Sequence, residues 1–247
     1  MNWTQAIISN EGTHHLIKGI PAYADRFLSV QIFQEPGLAP AVDASGAFHI
    51  NPFGHPAYPK RFRQTWGFYE GLAAVEDARG WCHIKPDGVP VTDIRFAWCG
   101  NFQEGRCAVR NLNGRYFHLT PECTPAYAER HLYAGDFRDG AAVVRSPERG
   151  LCTHITPDGR ALHGQWFVDL DVYHKGFARA RDSRGWFHID MLGRPQGHRR
   201  YAEVEPFYNG QARVLTHDGT YEVRDSLGDL KAVVGHLPTQ FHEDTPR

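Results

Sequence analysis

Small or apolar side chains fall on every second position after a recurring glycine. Gly71 is followed by Ala73 and Val75, Gly105 by Cys107 and Val109, Gly140 by Ala142 and Val144. Ala39/Ala41, Ala178/Ala180 and Ala212/Val214 repeat the pattern. A period of two marks a strand with one buried face. The invariantly small first residue points to a backbone that approaches closely. Each run ends in a turn, such as Asp77-Ala78-Arg79-Gly80 or Asn111-Leu112-Asn113-Gly114. A second strand follows: Trp81-Cys82-His83-Ile84, Tyr116-Phe117-His118-Leu119, Cys152-Thr153-His154-Ile155 or Trp186-Phe187-His188-Ile189. Glycine turns close it, as in Lys85-Pro86-Asp87-Gly88. No segment carries the apolar stripe of an amphipathic helix.

The glycines belong to a larger repeat. An aromatic precedes each one: Phe33 before Gly37, Phe68 before Gly71, Phe102 before Gly105, Phe137 before Gly140, Tyr173 before Gly176 and Phe207 before Gly210. These glycines lie 34–36 residues apart. Six residues before each aromatic sits another, usually after arginine: Arg26-Phe27, Arg61-Phe62, Arg95-Phe96 and Arg200-Tyr201, with Arg130-His131 and Trp166-Phe167 as variants. Pro-Ala-Tyr precedes that pair at Pro21, Pro56 and Pro125. Each unit therefore reads as a β-hairpin plus a third extended segment carrying the Arg-aromatic pair.

The expected fold is all-β: a tandem array of about six ~35-residue repeats, curved and solenoid-like, with a closed β-propeller as the alternative. The units fall at about 19–53, 54–87, 88–122, 123–158, 159–192 and 193–227. Residues 1–18 read as an N-terminal partial repeat or cap. Residues 228–247 read as a C-terminal partial repeat and a polar tail. In an open array these ends shield the terminal cores; in a ring they pair to complete a blade.

Composition narrows the function. With 247 residues, 41% hydrophobic and 22% charged, the chain has the makings of a core and is neither disordered nor fibrous. A net charge of −1 argues against a general nucleic-acid or anionic-membrane surface. The five cysteines are odd in number and form no Cys-x-x-Cys, so free thiols in a reducing compartment are expected. No apolar run reaches the roughly 20 residues of a membrane span. A cytoplasmic protein without a membrane segment is the expectation.

Three features are candidates for chemistry. His49, His83, His118, His154 and His188 stand in register, with Glu222 in the sixth slot. Imidazoles could bind metal, but equivalent positions in stacked units lie too far apart to converge on one ion. A repeated structural hydrogen bond is the preferred reading. The arginines before the aromatics could form an anion-binding stripe. Pairing with the acid before the marker glycine (Glu70, Glu104 or Asp139) is the simpler expectation. The third feature is the fifth unit, which loses Pro-Ala-Tyr and the arginine. It brings His163, Trp166, Asp169, Asp171, His174 and Lys175 into one stretch. Carboxylates and histidines together could do acid–base work or bind an ion, yet no nucleophile or cofactor motif accompanies them. These six, with Trp66 and Trp98 in the loops before the marker glycine, are the candidate ligand-binding residues. No catalytic residue, metal ligand or cofactor is assigned.

The order Gly-x-Ala-x-Val, Gly-Trp-x-aromatic-Ile, then Phe-x-Glu-Gly resembles the bacterial WG repeat over residues 19–227, best at Gly71–Gly88 and Gly176–Gly193. Here Cys82 or Phe187 follows the tryptophan, and histidine replaces the usual aromatic before isoleucine. Units of this His-Ile form resemble the region preceding methyltransferase-like domains in some bacterial proteins. The resemblance implies a non-catalytic binding or scaffold module for a protein or peptide partner, with a methyltransferase-like enzyme as one such partner. A metal-dependent enzyme or small-molecule binder built on the fifth unit is the alternative. A glycan or single-stranded nucleic-acid reader using Trp66, Trp98 and the arginines ranks last.

Overall fold

A computed structural model describes residues 2–237. The polar tail, residues 239–247, lies outside the described residues. A 3-10 turn at Trp3–Gln5 is the one helical element among them. The remainder is a succession of small antiparallel sheets, each a simple meander.

The first sheet holds β1 (Ile7–Ile8), β2 (His15–Ile17) and β3 (Ile20–Pro21). The next holds β4 (Ser29–Val30), β5 (Ala39–Asp43) and β6 (Gly46–Ile50). Then come β7 (Gln64–Tyr69), β8 (Leu72–Asp77) and β9 (Gly80–Ile84), followed by β10 (Trp98–Cys99), β11 (Cys107–Arg110) and β12 (Tyr116–Leu119). The fourth unit supplies β13 (Tyr133–Ala134), β14 (Ala142–Arg145) and β15 (Cys152–Ile155). The fifth supplies β16 (Asp169–Leu170), β17 (Phe177–Asp182) and β18 (Gly185–Asp190). The last sheet has four strands: β19 (Glu203–Val204), β20 (Gln211–Leu215), β21 (Thr220–Asp225) and β22 (Leu230–His236). Among the described residues the first and last strands do not share a sheet. Each builds on its own neighbour, β1–β3 as a separate sheet and β22 as a fourth strand against β21.

The Arg-aromatic segment does not pair with its own hairpin. It runs back along the last strand of the preceding unit, bridging Phe62 to Ala47 and Pro56 to Ile50. Phe96 with Trp81, His131 with Tyr116, Phe167 with Cys152 and Tyr201 with Trp186 repeat the bridge. An interrupted fourth strand thus covers an edge that would otherwise expose unpaired N–H and C=O groups. Only after it does the chain enter the next sheet.

This close cover explains the glycine before each tryptophan. Gly80 has φ +126°, and a Cβ there would sit 2.8 Å from the Phe96 carbonyl oxygen. The marker turns have a different logic. Glu70 (φ 50°) and Gly71 (φ 82°) are both left-handed, as a tight hairpin requires, and Glu104, Asp139, Lys175 and Asn209 repeat the first position.

The core lies between successive sheets. Phe48, Ile50, Phe68, Ala73 and Val75 share one buried cluster across the first two units. Burying each large apolar side chain is worth roughly 1.5–3 kcal/mol.

Candidate functional site

The histidines in register hold neighbouring units together. His49 Nε2 lies 2.8 Å from the Trp66 carbonyl, His118 Nε2 2.8 Å from that of Gly135, and His188 Nε2 2.7 Å from that of Glu205. A carbonyl only accepts, so Nε2 carries the proton and Nδ1 is the acceptor. The tyrosine of Pro-Ala-Tyr supplies the matching donor: Tyr58 to His49 and Tyr127 to His118. The marker aromatic of the next unit packs on each imidazole, with ring centroids 4.1–4.9 Å apart for the pairs His49–Phe68, His83–Phe102, His118–Phe137, His154–Tyr173 and His188–Phe207. His15 makes the same contacts with Tyr23, the Gln31 carbonyl and Phe33. Burial pushes His49, His83, His118, His154 and His188 down to about 4, so all five are neutral at pH 7. Cys107 occupies the small-residue slot, its sulfur 3.4 Å from His83 Nε2 and 3.3 Å from the Gly100 carbonyl. A side chain as well as a backbone therefore crowds that slot.

The arginines find partners other than the marker acids. Arg95 and Arg200 pair with Asp77 and Asp182 at 2.8 Å, and Arg61 reaches Asp43 at 3.8 Å. These acids belong to the hairpin turn of the preceding unit, which the interrupted strand runs beside. Arg26 and Arg130 instead donate to backbone carbonyls of their own loops. The marker acids accept from the next marker turn: Glu70 from the Gly105 N–H at 2.9 Å, Glu104 from those of Asp139 and Gly140.

The fifth unit divides its candidate residues among several places. Asp171 and His174 come together at a cavity of about 240 Å³ floored by Phe177, Phe207 and His188. Arg138 of the fourth unit and Arg179 stand at its mouth. Arg138 donates to His174 Nδ1 at 3.1 Å. The Asp171 carboxylate pairs with Arg179, which also donates to the Val204 carbonyl at 3.1 Å. The Asp171 carbonyl holds His154 at 2.8 Å. Asp171 thus ties the fifth unit to both of its neighbours. Asp169 lies outside the cavity, 3.6 Å from Arg181.

His163 stands in the tyrosine slot and donates to His154 Nδ1 at 3.1 Å. Trp166 lines a separate cavity. Lys175 sits at the tip of the marker turn, 5.5 Å above the Tyr208 ring. Trp66 and Trp98 lie on β7 and β10 rather than in loops. Trp66 stacks on Trp81, and Trp98 leans on Tyr116. An outward position on a first strand is exposed without being a loop. Sequence reasoning missed Arg138, Arg179 and Phe207, the last two because cross-strand and next-unit neighbours are not adjacent in sequence. Among the described residues no group of three histidine, cysteine or acidic side chains converges as a metal site. All five cysteines are free and buried. No described helix is long and apolar enough to cross a membrane.

Stacked antiparallel sheets with a ligand-sized cavity where the repeat is broken define a propeller-like β-repeat protein. Residues 50–81 and 84–116 match the family model of the WG containing repeat. These two segments of the chain are WG repeats. BamB from Moraxella catarrhalis, a β-propeller, is similar in fold at 12% identity and TM-score 0.51, the match covering 95% of this chain and 86% of that one. AztD from Citrobacter koseri aligns at 11% identity and TM-score 0.49 over 94% of this chain and 79% of its own. The WD40 beta propeller domain of Doa1 aligns at 14% identity and TM-score 0.36, over 82% and 79%. No curated protein matches the sequence.

Proposed function

We propose that this chain is a binding module for a peptide segment of a protein partner, and that the cavity between Arg138 and Phe207 receives it. The observation that carries this reading is the contrast between floor and mouth. Phe177 and Phe207 pack at 4.8 Å and present an apolar floor. Arg138 at the mouth is exposed and pairs with no carboxylate among the described residues, whereas Arg179 is neutralised by Asp171. An apolar pocket beside a free guanidinium suits an apolar side chain next to a carboxylate. His174, whose Nδ1 accepts from Arg138, fixes the guanidinium at the rim.

The test is fluorescence anisotropy with a labelled peptide containing Phe-Glu, against Phe-Lys and Gly-Glu controls. The Phe-Glu peptide is expected to bind, with each control and Arg138→Gln at least about tenfold weaker, or ~1.4 kcal/mol. Equal binding of Phe-Lys, or indifference to Arg138→Gln, would contradict the reading. Asp171→Ala is not a clean probe, because it also frees Arg179 and loosens the join to the sixth unit.

A further inference from the structure

A second cavity, of about 290 Å³, opens between the fourth and fifth units, lined by Glu129, His131, Glu148, Thr153, Ile155 and Trp166 among others. It exists because two repeat positions changed together. In three other units the arginine before the aromatic lies over a phenylalanine of the preceding unit: Arg61 over Phe48 at 3.7 Å, Arg130 over Phe117 at 3.9 Å, Arg200 over Phe187 at 3.6 Å. Here Thr153 stands in the phenylalanine slot and Trp166 in the arginine slot. The ring is supplied from the opposite side, and the arginine of the repeat is gone.

Arg130 also lines the cavity, but its guanidinium lies over Phe117 and donates to the carbonyls of Tyr127, Ala128 and Glu129, and it pairs with no carboxylate among the described residues. Glu129 and Glu148 are exposed, and neither pairs with a basic side chain among the described residues. With them at the cavity is His131, a residue 8% exposed whose Nε2 has no hydrogen-bond partner. Arg149 reaches the Trp166 ring at 4.9 Å, but from an exposed position on the widened turn between β14 and β15.

We propose that this cavity receives an arginine side chain of a partner protein. Its guanidinium takes the place over Trp166 that Arg149 holds in the free protein, and its aliphatic stem lies along Ile155. Glu129 and Glu148 supply the countercharge, and His131 Nε2 supplies an acceptor. A guanidinium fits better than a compact ammonium, because three other units already place their own arginine over an aromatic face.

The site is independent of the Arg138 cavity and is tested separately. Protein carrying ¹⁵N in its tryptophan indoles is titrated with Ac-Gly-Arg-Gly-NH2, and with the same peptide carrying neutral citrulline. Trp166→Phe identifies the reporting resonance. The Trp166 indole signal is expected to shift saturably with the arginine peptide and at least about tenfold more weakly with citrulline. A Glu129→Gln/Glu148→Gln protein, with an unchanged melting temperature as its check on folding, is expected to lose the response to a similar degree. Arg138→Gln is expected to leave it intact, so failure here and failure of the Arg138 reading are distinguishable. A Trp166 signal that stays still at millimolar peptide, that moves equally with citrulline, or that responds equally in the Gln variant would overturn the proposal.

Discussion

At the residue scale, one buried imidazole in each of the first five units does the joining. Its Nε2–H crosses to the next unit's backbone, its Nδ1 takes a tyrosine hydroxyl where one is present, and its face carries the next marker aromatic. Protonation would break the Nδ1 contact and bury a charge. The ordinary value for these groups is 6.5, and burial lowers five of them to about 4. Between those values the folded protein binds fewer protons than the unfolded chain, so stability is complete above about pH 6.5 and falls as acid is added towards pH 4. Denaturant midpoints measured from pH 7.5 to 5 are expected to fall steadily. His118→Gln, which removes one titrating group, is expected to flatten the slope by about 1.4 kcal/mol per pH unit. A midpoint that does not change with pH would contradict the neutral-imidazole account. Gly80→Ala is a second prediction at this scale. With φ +126° and the Phe96 carbonyl 2.8 Å from the new methyl, it is expected to cost more than about 2 kcal/mol, read as a lowered melting temperature. The register of the histidines was legible in the sequence. Their acceptors were not, because a backbone carbonyl carries no residue-type signal. His15 was missed because His14 precedes it, where the other units place a strand residue such as Cys82 or Phe117.

At the element scale, loops and strands exchange parts between units. The tyrosine of Pro-Ala-Tyr seats its ring on the glycine of the following turn. Tyr58 covers Gly88, where a Cβ would lie 2.6 Å from the ring, and Tyr127 covers Gly159 in the same way. The third unit breaks both halves of this contact at once. Thr92 stands in the tyrosine slot, and Cys123, left-handed at φ 57°, stands in the glycine slot. The consequence is local: His83 Nδ1 is buried without a partner. Thr92→Tyr alone is expected to destabilise by overpacking against Cys123, while Thr92→Tyr with Cys123→Gly restores the contact. A double-mutant cycle read by chemical denaturation is expected to give a coupling of about 1–2 kcal/mol. Additive effects would show that the two positions do not meet. The strands and hairpin turns were legible from period-two alternation and glycine placement. The destination of the Arg-aromatic segment was not, because an interrupted strand can cover either flanking hairpin without a change in its own pattern. The arginines consequently meet Asp77 and Asp182 of the hairpin turns rather than the acids of the marker turns.

At the scale of the whole molecule, two cavities open where the fifth unit departs from the repeat. The fifth unit's departure was visible in the sequence. What it opens was not, because the first cavity takes Arg138 from the unit before and Phe207 from the unit after, while the second depends on Thr153 of the fourth unit. Under the two proposals, a site with a guanidinium that pairs with no carboxylate and a site with carboxylates that pair with no basic side chain would read a partner at two points. The most direct test is to locate the Phe-Glu peptide by NMR on uniformly labelled protein. The account predicts saturable shifts concentrated at residues 136–138, 171–179 and 204–207, and their loss in Arg138→Gln. Shifts scattered over the array, or centred on Trp66 and Trp98 with the Arg138 cavity silent, would contradict it.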